Sequence, residues 1–543
     1  MTRGLLVWSV ALASTLYGLT ALAGERLVFG SFARADNASS FARLLSQKLD
    51  APVSVEPAPN QALTDRTDGN TAAPMYRVVS RIFPEPSAAI PGSTASQRLL
   101  ARATAQGYQP WFWRGLSEAA PRPAPERADA IPAMPATRTG PGAIAQLSPR
   151  QSITTRTEFD LGLQTRSYAQ AGQHDQSRWQ LSASGQFDWF RSWGGDRHAL
   201  TVTPFFRLDS EDDERTHFDL REGFYSYIGD RFEWHLGARQ VFWGVTEFKH
   251  LVDIVNQTDL VENIDGEDKL GQGMVQLSLS RDWGVLDLYL LAGNRERTFP
   301  GEQGRLRFGL PVAVDDARFE SSAGRQRLDG AIRWSHYAGP LSWGLHHFSG
   351  TSRDPLLLLS TPTGTTDFEL VPYYQVIDQT GVDAQLLLGD WAWKLEAITR
   401  SGDGDRYGAA NLGVERTLVG VFGSRADLGV VLEYLFDERG DDAHNTLFER
   451  DLAVGARWAF NDAADSQALL GVIWDTRTDE YVVSLEASRQ LGQDWQLLIE
   501  GRAFAGAPTL DGAAQLAAFV DGSAKSAFLQ RDDFLQLELR RFF

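Results

Sequence analysis

The 543-residue sequence predicts a mainly β protein: a large antiparallel transmembrane β-barrel of about 18 strands, with 16 as the alternative, behind a small α+β N-terminal domain. Three observations carry this prediction. From Ser152 onward, strand-length segments alternate apolar and polar residues, the period of a sheet with two unlike faces. Tight Gly/Asp turns interleave with longer polar connections, as in barrels with short turns on one rim and long loops on the other. Trp193, Trp283, Trp343, Trp391 and Trp495 all stand beside proposed short turns, where an aromatic belt meets a membrane interface.

Composition narrows the function classes. The chain has no cysteine, which removes disulfides, thiolate metal sites and cysteine nucleophiles. A net charge of −18 argues against nucleic-acid binding, which needs a basic face. A mean hydropathy of −0.27 is too polar for a bundle of membrane helices, but a barrel is apolar on one face only.

The elements follow in chain order. Arg3, the apolar stretch Leu5 to Leu22 and the small residues of Ala21-Leu22-Ala23 read as a cleavable export signal over residues 1–23. Residues 25–116 give strands at Arg26 to Phe32, around Val53 and Val55, from Tyr76 to Phe83 and near Tyr108 to Trp113. Helices are expected from Asn37 through Leu49 and from Ala95 to Ala105. The order β-α-β-β-α-β is that of a small split sandwich. Gly30-Ser31-Phe32, Asn37-Ala38, Leu44/Leu45 and Tyr76-Arg77-Val78 make this zone resemble a SPOR domain. That resemblance implies a periplasmic domain that binds peptidoglycan glycan strands across its sheet, with Ser31, Phe32, Tyr76 and Arg77 at the contact. Val28 and the Ser80-Arg81-Ile82-Phe83 turn depart from the family pattern. A small docking domain is the other reading. Residues 117–150, rich in Pro and Ala, read as a semi-extended linker.

Residues 151–543 form the predicted barrel. Phe159, Leu161 and Leu163 oppose Glu158, Asp160 and Gln164; Leu535, Leu537 and Leu539 oppose Gln536, Glu538 and Arg540. Short turns are expected at Gly194-Gly195-Asp196, Gly229-Asp230, Asp282-Trp283-Gly284, Gly339-Pro340, Gly389-Asp390, Gly423-Ser424 and Gly492-Gln493. The segment 505–530 leaves the strand count open. Phe543 on an alternating last strand resembles the C-terminal signal that the barrel-assembly machinery recognises. Lipid and lipopolysaccharide are then the expected surroundings.

With the apolar stripe towards lipid, the charged stripe faces the lumen. Arg156, Glu158, Asp160, Arg207, Arg221, Glu233, Arg239, Arg333, Lys394, Glu396, Arg400, Arg457, Glu500 and Arg502 are the candidate pore-lining residues. Such charges need water or partners, so the lumen is either a water-filled pore or a salt-bridged plug. Glu222 and Arg416 fall out of phase, which calls for bulges.

The connection Val245 to Gly271 should be the third outer loop. Phe248, Leu251, Val252 and Val255 recur there at helical spacing, either folding into the mouth as a constriction or capping the rim. An acidic run at Glu262, Asp265, Glu267 and Asp268 is expected to face solvent or lipopolysaccharide-bound cations; it lacks the alternating spacing of a calcium loop. Gly237-Ala238-Arg239-Gln240-Val241-Phe242-Trp243-Gly244 resembles the strand ends of several porin-like barrels. This likeness implies that Arg239 and Gln240 help build a constriction.

No catalytic signature is present. His235, His336 and His346 share the predicted lumen stripe, but none has a nucleophile in a recognisable context, and neighbours such as His346 and His347 must point to opposite faces. No cofactor, metal or nucleic acid is expected. The expected function is a channel or exporter tethered towards peptidoglycan, or alternatively a structural envelope anchor with a plugged barrel.

Overall fold

The computed structural model describes residues 26–32, 53–57, 76–80, 111–113 and 153–543, apart from 363–366, 403, 444–445 and 511–512. Contacts divide the chain into Met1–Ala145 and Gln146–Phe543.

In the first unit, β1 (Arg26–Phe32), β2 (Val53–Pro57), β3 (Tyr76–Ser80) and β4 (Trp111–Trp113) form an antiparallel sheet in the order β2-β3-β1-β4. Each lies where the sequence predicts a strand. β1 runs through a register shift between Val28 and Gly30. The expected export signal, both helices and the linker fall outside the described residues.

The second unit begins with β5 (Thr154–Tyr168), β6 (Trp179–Trp193), β7 (His198–Asp209), β8 (His217–Ile228), β9 (Phe232–Arg239), β10 (Gln272–Arg281) and β11 (Gly284–Ala292). After the two-residue β12 (Arg318–Phe319) come β13 (Leu328–Ala338) and β14 (Leu341–Thr351). An outer hairpin, β15 (Leu356–Ser360) and β16 (Glu369–Tyr374), joins β12 in a separate small sheet. The wall resumes with β17 (Val376–Leu388), β18 (Trp391–Ser401), β19 (Tyr407–Leu418), β20 (Asp427–Asp437) and β21 (Arg450–Ala459). It ends with β22 (Gln467–Asp475), β23 (Tyr481–Gln490), β24 (Trp495–Ala505) and β25 (Phe534–Phe542). Eighteen of these strands close an antiparallel barrel, sealed where β25 pairs with β5 and places Leu539 opposite Leu163.

The count is therefore eighteen, not sixteen. Among the described residues of 506–533, where the pattern is ambiguous, there is no wall strand but a long connection with a short α-helix, α1 (Ala513–Val520), and a 3-10 turn at Ala527–Leu529. Alternation has its expected physical basis. Leu163, Leu181, Leu208, Leu412 and Leu537 are exposed on the outer surface, while Gln164, Ser182, Arg207, Asn411 and Gln536 are buried towards the lumen. The phase slip at Glu222 comes from a bulge: Thr203 pairs with Glu222 but Pro204 with Leu220, leaving Arg221 extra. Pro204 has no N–H to give to a ladder, and a bulge opposite it removes the need for one.

Every predicted short turn joins neighbouring wall strands, and the sequence reading missed a further one at 460–466. The opposite rim carries the long connections, although 402–406 and 476–480 are brief. The five tryptophans named above lie at the short-turn end. Trp334 bridges Trp283 and Trp343 there, with ring centroids 6.5 and 4.4 Å apart. No described helix is long and apolar enough to cross a membrane.

Candidate functional site: a loop across the lumen

The fifth wall strand, β9, runs into residues 240–271, the third long connection. The helical spacing of Phe248, Leu251, Val252 and Val255 does not produce a helix; the backbone is irregular throughout. The reason is a competing set of acceptors. Glu396 of β18 takes the main-chain N–H groups of Val245 (2.8 Å), Thr246 (3.0 Å), Leu251 (2.7 Å) and Val252 (3.3 Å), and the Thr246 hydroxyl (2.7 Å). Glu433 of β20 takes those of Glu247 (2.7 Å) and Phe248 (3.0 Å). Both carboxylates are fully buried. Backbone donors satisfied by charged oxygens need no carbonyls four residues back, so the helix has nothing to gain.

The loop lies inside the barrel. Trp243, Val252, Ile254 and Val255 pack against Met274, Tyr289, Leu291, Phe348, Ile377 and Ile398 of the wall as a lumen core. Val252 and Val255 are wholly buried, each contributing about 2 kcal/mol on area grounds. Phe248 reaches the far wall, where Gly455 and Gly471 leave room for its ring. A Cβ on either would come within 2.9 or 2.7 Å of that ring. Alanine at both positions is therefore expected to dislodge Phe248, which faster proteolysis of the loop in an otherwise folded barrel would report. An unchanged cleavage rate would disprove this fit.

The acidic run faces solvent only in part, a partial correction to the sequence reading: Glu262 is buried, whereas the Glu267 side chain stays 56% exposed, and all four carboxylates have cationic partners. Glu262 meets Arg207 (2.6 Å), His217 (2.9 Å) and Arg221 (3.7 Å); Asp265 meets Arg502 (2.9 Å), Glu267 meets His250 (3.3 Å) and Asp268 meets Arg221 (3.9 Å). Lumen cations pull these carboxylates apart, and among the described residues no group could hold a metal ion.

The candidate pore-lining residues all lie on the inward stripe, but only some of them meet the loop. It engages Arg207 and Arg221 through Glu262, Arg502 through Asp265, Glu500 through Asn263 (3.0 Å) and, nearer the short-turn ends of β18 and β21, Lys394 and Arg457 through Glu247. Arg239 bonds Gln276 and lies over Phe224, while Gln240 bonds the Lys269 carbonyl. Arg333 pairs with Asp383 (2.6 Å) beneath the Trp243 ring, and Arg400 with Asp354 (3.2 Å). Nearer the short turns, Arg156, Glu158, Asp160 and Glu233 have no described contact with the loop. There the Glu233 side chain is 43% exposed and that of Glu486 49%, against 0% for Glu396. The lumen charges at that end are thus more accessible than those that hold the loop.

The opposite mouth is covered. Arg305, in the connection 293–327, pairs with Asp532 (2.6 Å) and stacks on Tyr168, and its neighbour Leu306 joins Phe504, Leu529 and Phe534 in a second apolar cluster. Arg215 is buried against Asp209 (2.7 Å). Sequence reasoning missed these loop cations because nothing local distinguishes a loop arginine that folds inward. His346 is buried against Trp243 and bonds the Gln379 side chain (3.2 Å), while His347 is half exposed on the outer face beside the Thr380 hydroxyl (2.9 Å).

No family model and no curated protein matches this chain. Among solved structures it is similar to a BenF-like porin from Pseudomonas fluorescens Pf-5, at 8% identity and a TM-score of 0.43, covering 72% of this chain and 98% of that one. Pseudomonas aeruginosa OccK3 (OpdO) shares 9% identity at a TM-score of 0.41, over 72% and 95%. Wzi of Escherichia coli, described as a carbohydrate-binding β-barrel involved in group 1 capsule assembly, shares 8% at 0.42, over 71% and 84%.

Proposed function

We propose that the protein is an outer-membrane channel, shut in this conformation, that conducts when residues 240–271 withdraw from the lumen. The apolar outer surface of a closed antiparallel barrel supports the membrane setting, with the short turns on the periplasmic side. One observation carries the gating: the loop is held by hydrogen bonds from its backbone to two wall carboxylates and by ion pairs, all of them reversible. Passage in either direction then requires loss of those contacts.

The test is conductance of the purified barrel in planar bilayers. The intact chain should open rarely, and a chain lacking 245–268 should open persistently. Silence from both would remove the channel reading and leave a structural anchor whose working part is the N-terminal unit. For that unit we propose a tether to peptidoglycan. The register of β1 and β3 supports it by setting Ser31 opposite Arg77 and Phe32 opposite Tyr76, so the candidate contact residues are neighbours. Denuded glycan strands should pull down the full chain but not one lacking 25–116. In the same reading β25 is the strand offered to the barrel-assembly machinery, and lipopolysaccharide surrounds the long-loop rim.

A further inference from the structure

Outward-facing wall positions near the short turns carry a charge pattern that the lumen does not explain. Arg191 on β6, Arg281 on β10, Arg416 on β19, Arg489 on β23 and Arg541 on β25 are all exposed within the last residues before a short turn or strand end. All point away from the lumen. No described outward strand position at this end is an aspartate or glutamate. The arginines sit level with the aromatic belt: Arg416 lies 5.1 Å over Trp391, and Arg541 lies 5.3 Å over Trp495 and 4.5 Å over Phe543. Arg281 donates to the carbonyls of Arg231 and Ser280, and Arg489 pairs with Asp462 of the neighbouring turn. Arg191, Arg416 and Arg541 have no ion pair among the described residues.

The belt is also lopsided. Four of the arginines fall on the arc from β19 through β25 to β6, while β11 to β18 present Trp334, Trp343, Trp391 and Trp393 instead. A guanidinium on the lipid-facing wall cannot be left in hydrocarbon, so it must lie at headgroup depth and find an anion there. Stacking on an indole fixes its plane and leaves its donors free for oxygens.

We infer that this arginine arc binds the phosphates of anionic phospholipids in the periplasmic leaflet, giving the barrel a lipid-selective flank. The inference rests on the membrane setting proposed above but not on channel activity. It is tested by reconstituting the full chain in phosphatidylcholine vesicles with trace spin-labelled phosphatidylglycerol or phosphatidylcholine, and comparing the motionally restricted fractions. The wild type should favour phosphatidylglycerol about threefold at low salt, and the preference should shrink in high salt. R191Q/R416Q/R541Q should bring the ratio to about one while the barrel keeps its heat-modifiable electrophoretic mobility. Insertion with no preference in the wild type, or an unchanged preference in the variant, overturns the lipid site alone. Failure to insert in any vesicle overturns the membrane setting and the lipid site together.

Discussion

Glu396→Ala is expected to free residues 240–271 and convert a shut barrel into a conducting one. The side chain is fully buried and accepts four main-chain N–H groups and a hydroxyl. Its removal leaves the four main-chain donors with no other described acceptor, while the Thr246 hydroxyl can turn to the Lys249 carbonyl (2.8 Å). Charge-assisted bonds contribute about 1.5–3 kcal/mol each, and orphaned buried donors cost a similar amount. Even with water entering the gap, a net loss of about 3 kcal/mol is a reasonable scale, about a hundredfold in the opening equilibrium. Hydrogen exchange reads it directly, because the protected amides of Val245, Thr246, Leu251 and Val252 are the ones released. Glu396→Gln keeps one carbonyl oxygen and should fall between. If alanine leaves both exchange and conductance unchanged, the carboxylate is not the latch.

The same site sets an alkaline limit. Burial alone would lower His250, but hydrogen bonds to Glu267 and Glu396 outweigh it and raise it to about 10. A base raised on folding stabilises the loop fully below its unfolded value of 6.5 and loses that contribution as pH climbs through about 10. Loop protection, taken relative to intrinsic exchange, should therefore be constant below about pH 6.5, decline steadily above it and level off beyond about pH 10.

Glu262→Ala is the second large effect. Glu262 is the anion shared by Arg207, His217 and Arg221, with Arg215 buried close by. Breaking a buried pair from one side strands the other charge, a cost of about 3–5 kcal/mol. Here Arg207 would keep only Gln164 and Ser182 as neutral partners. The apparent Tm in detergent should fall and the barrel should conduct. The double variant R207M/E262M should recover much of the loss, because it removes the stranded charge rather than exposing it. A double variant as unstable as the single would mean that packing, not charge, is at stake. Acid should act late. Burial opposes the Glu262 carboxylate, yet Arg207 and His217 hold it well below its ordinary value of 4.5. A depressed acid stabilises above its unfolded pKa and is lost only as pH falls through the folded one, so this contact should persist from neutrality to below pH 4.5.

Much of the wall was legible in the residues. Strand faces followed from alternation at Phe159 to Leu163 and Leu535 to Leu539, because each residue in a barrel strand meets either lipid or lumen and the two solvents select opposite chemistry. Turn positions followed from glycines such as Gly194 and Gly389, whose left-handed backbone suits tight reversals of four and two residues. The inward stripe was named correctly down to Glu396 and Arg502, although its filling was not. Phe248 to Val255 carried a helical period that local rules honour. Two carboxylates from strands about 150 and 185 residues away took the backbone donors instead, and such competition is invisible along the chain. The acidic run misled for the same reason, since Arg207, Arg221 and Arg502 become neighbours of Glu262, Asp265 and Asp268 only once the sheet has closed. The sequence by itself determined a closed two-faced sheet with short turns on one rim, a consequence of local period and turn chemistry. Only the tertiary structure decided that the third connection lies inside the lumen, because burying charged oxygens is tolerable there once an irregular backbone supplies the donors.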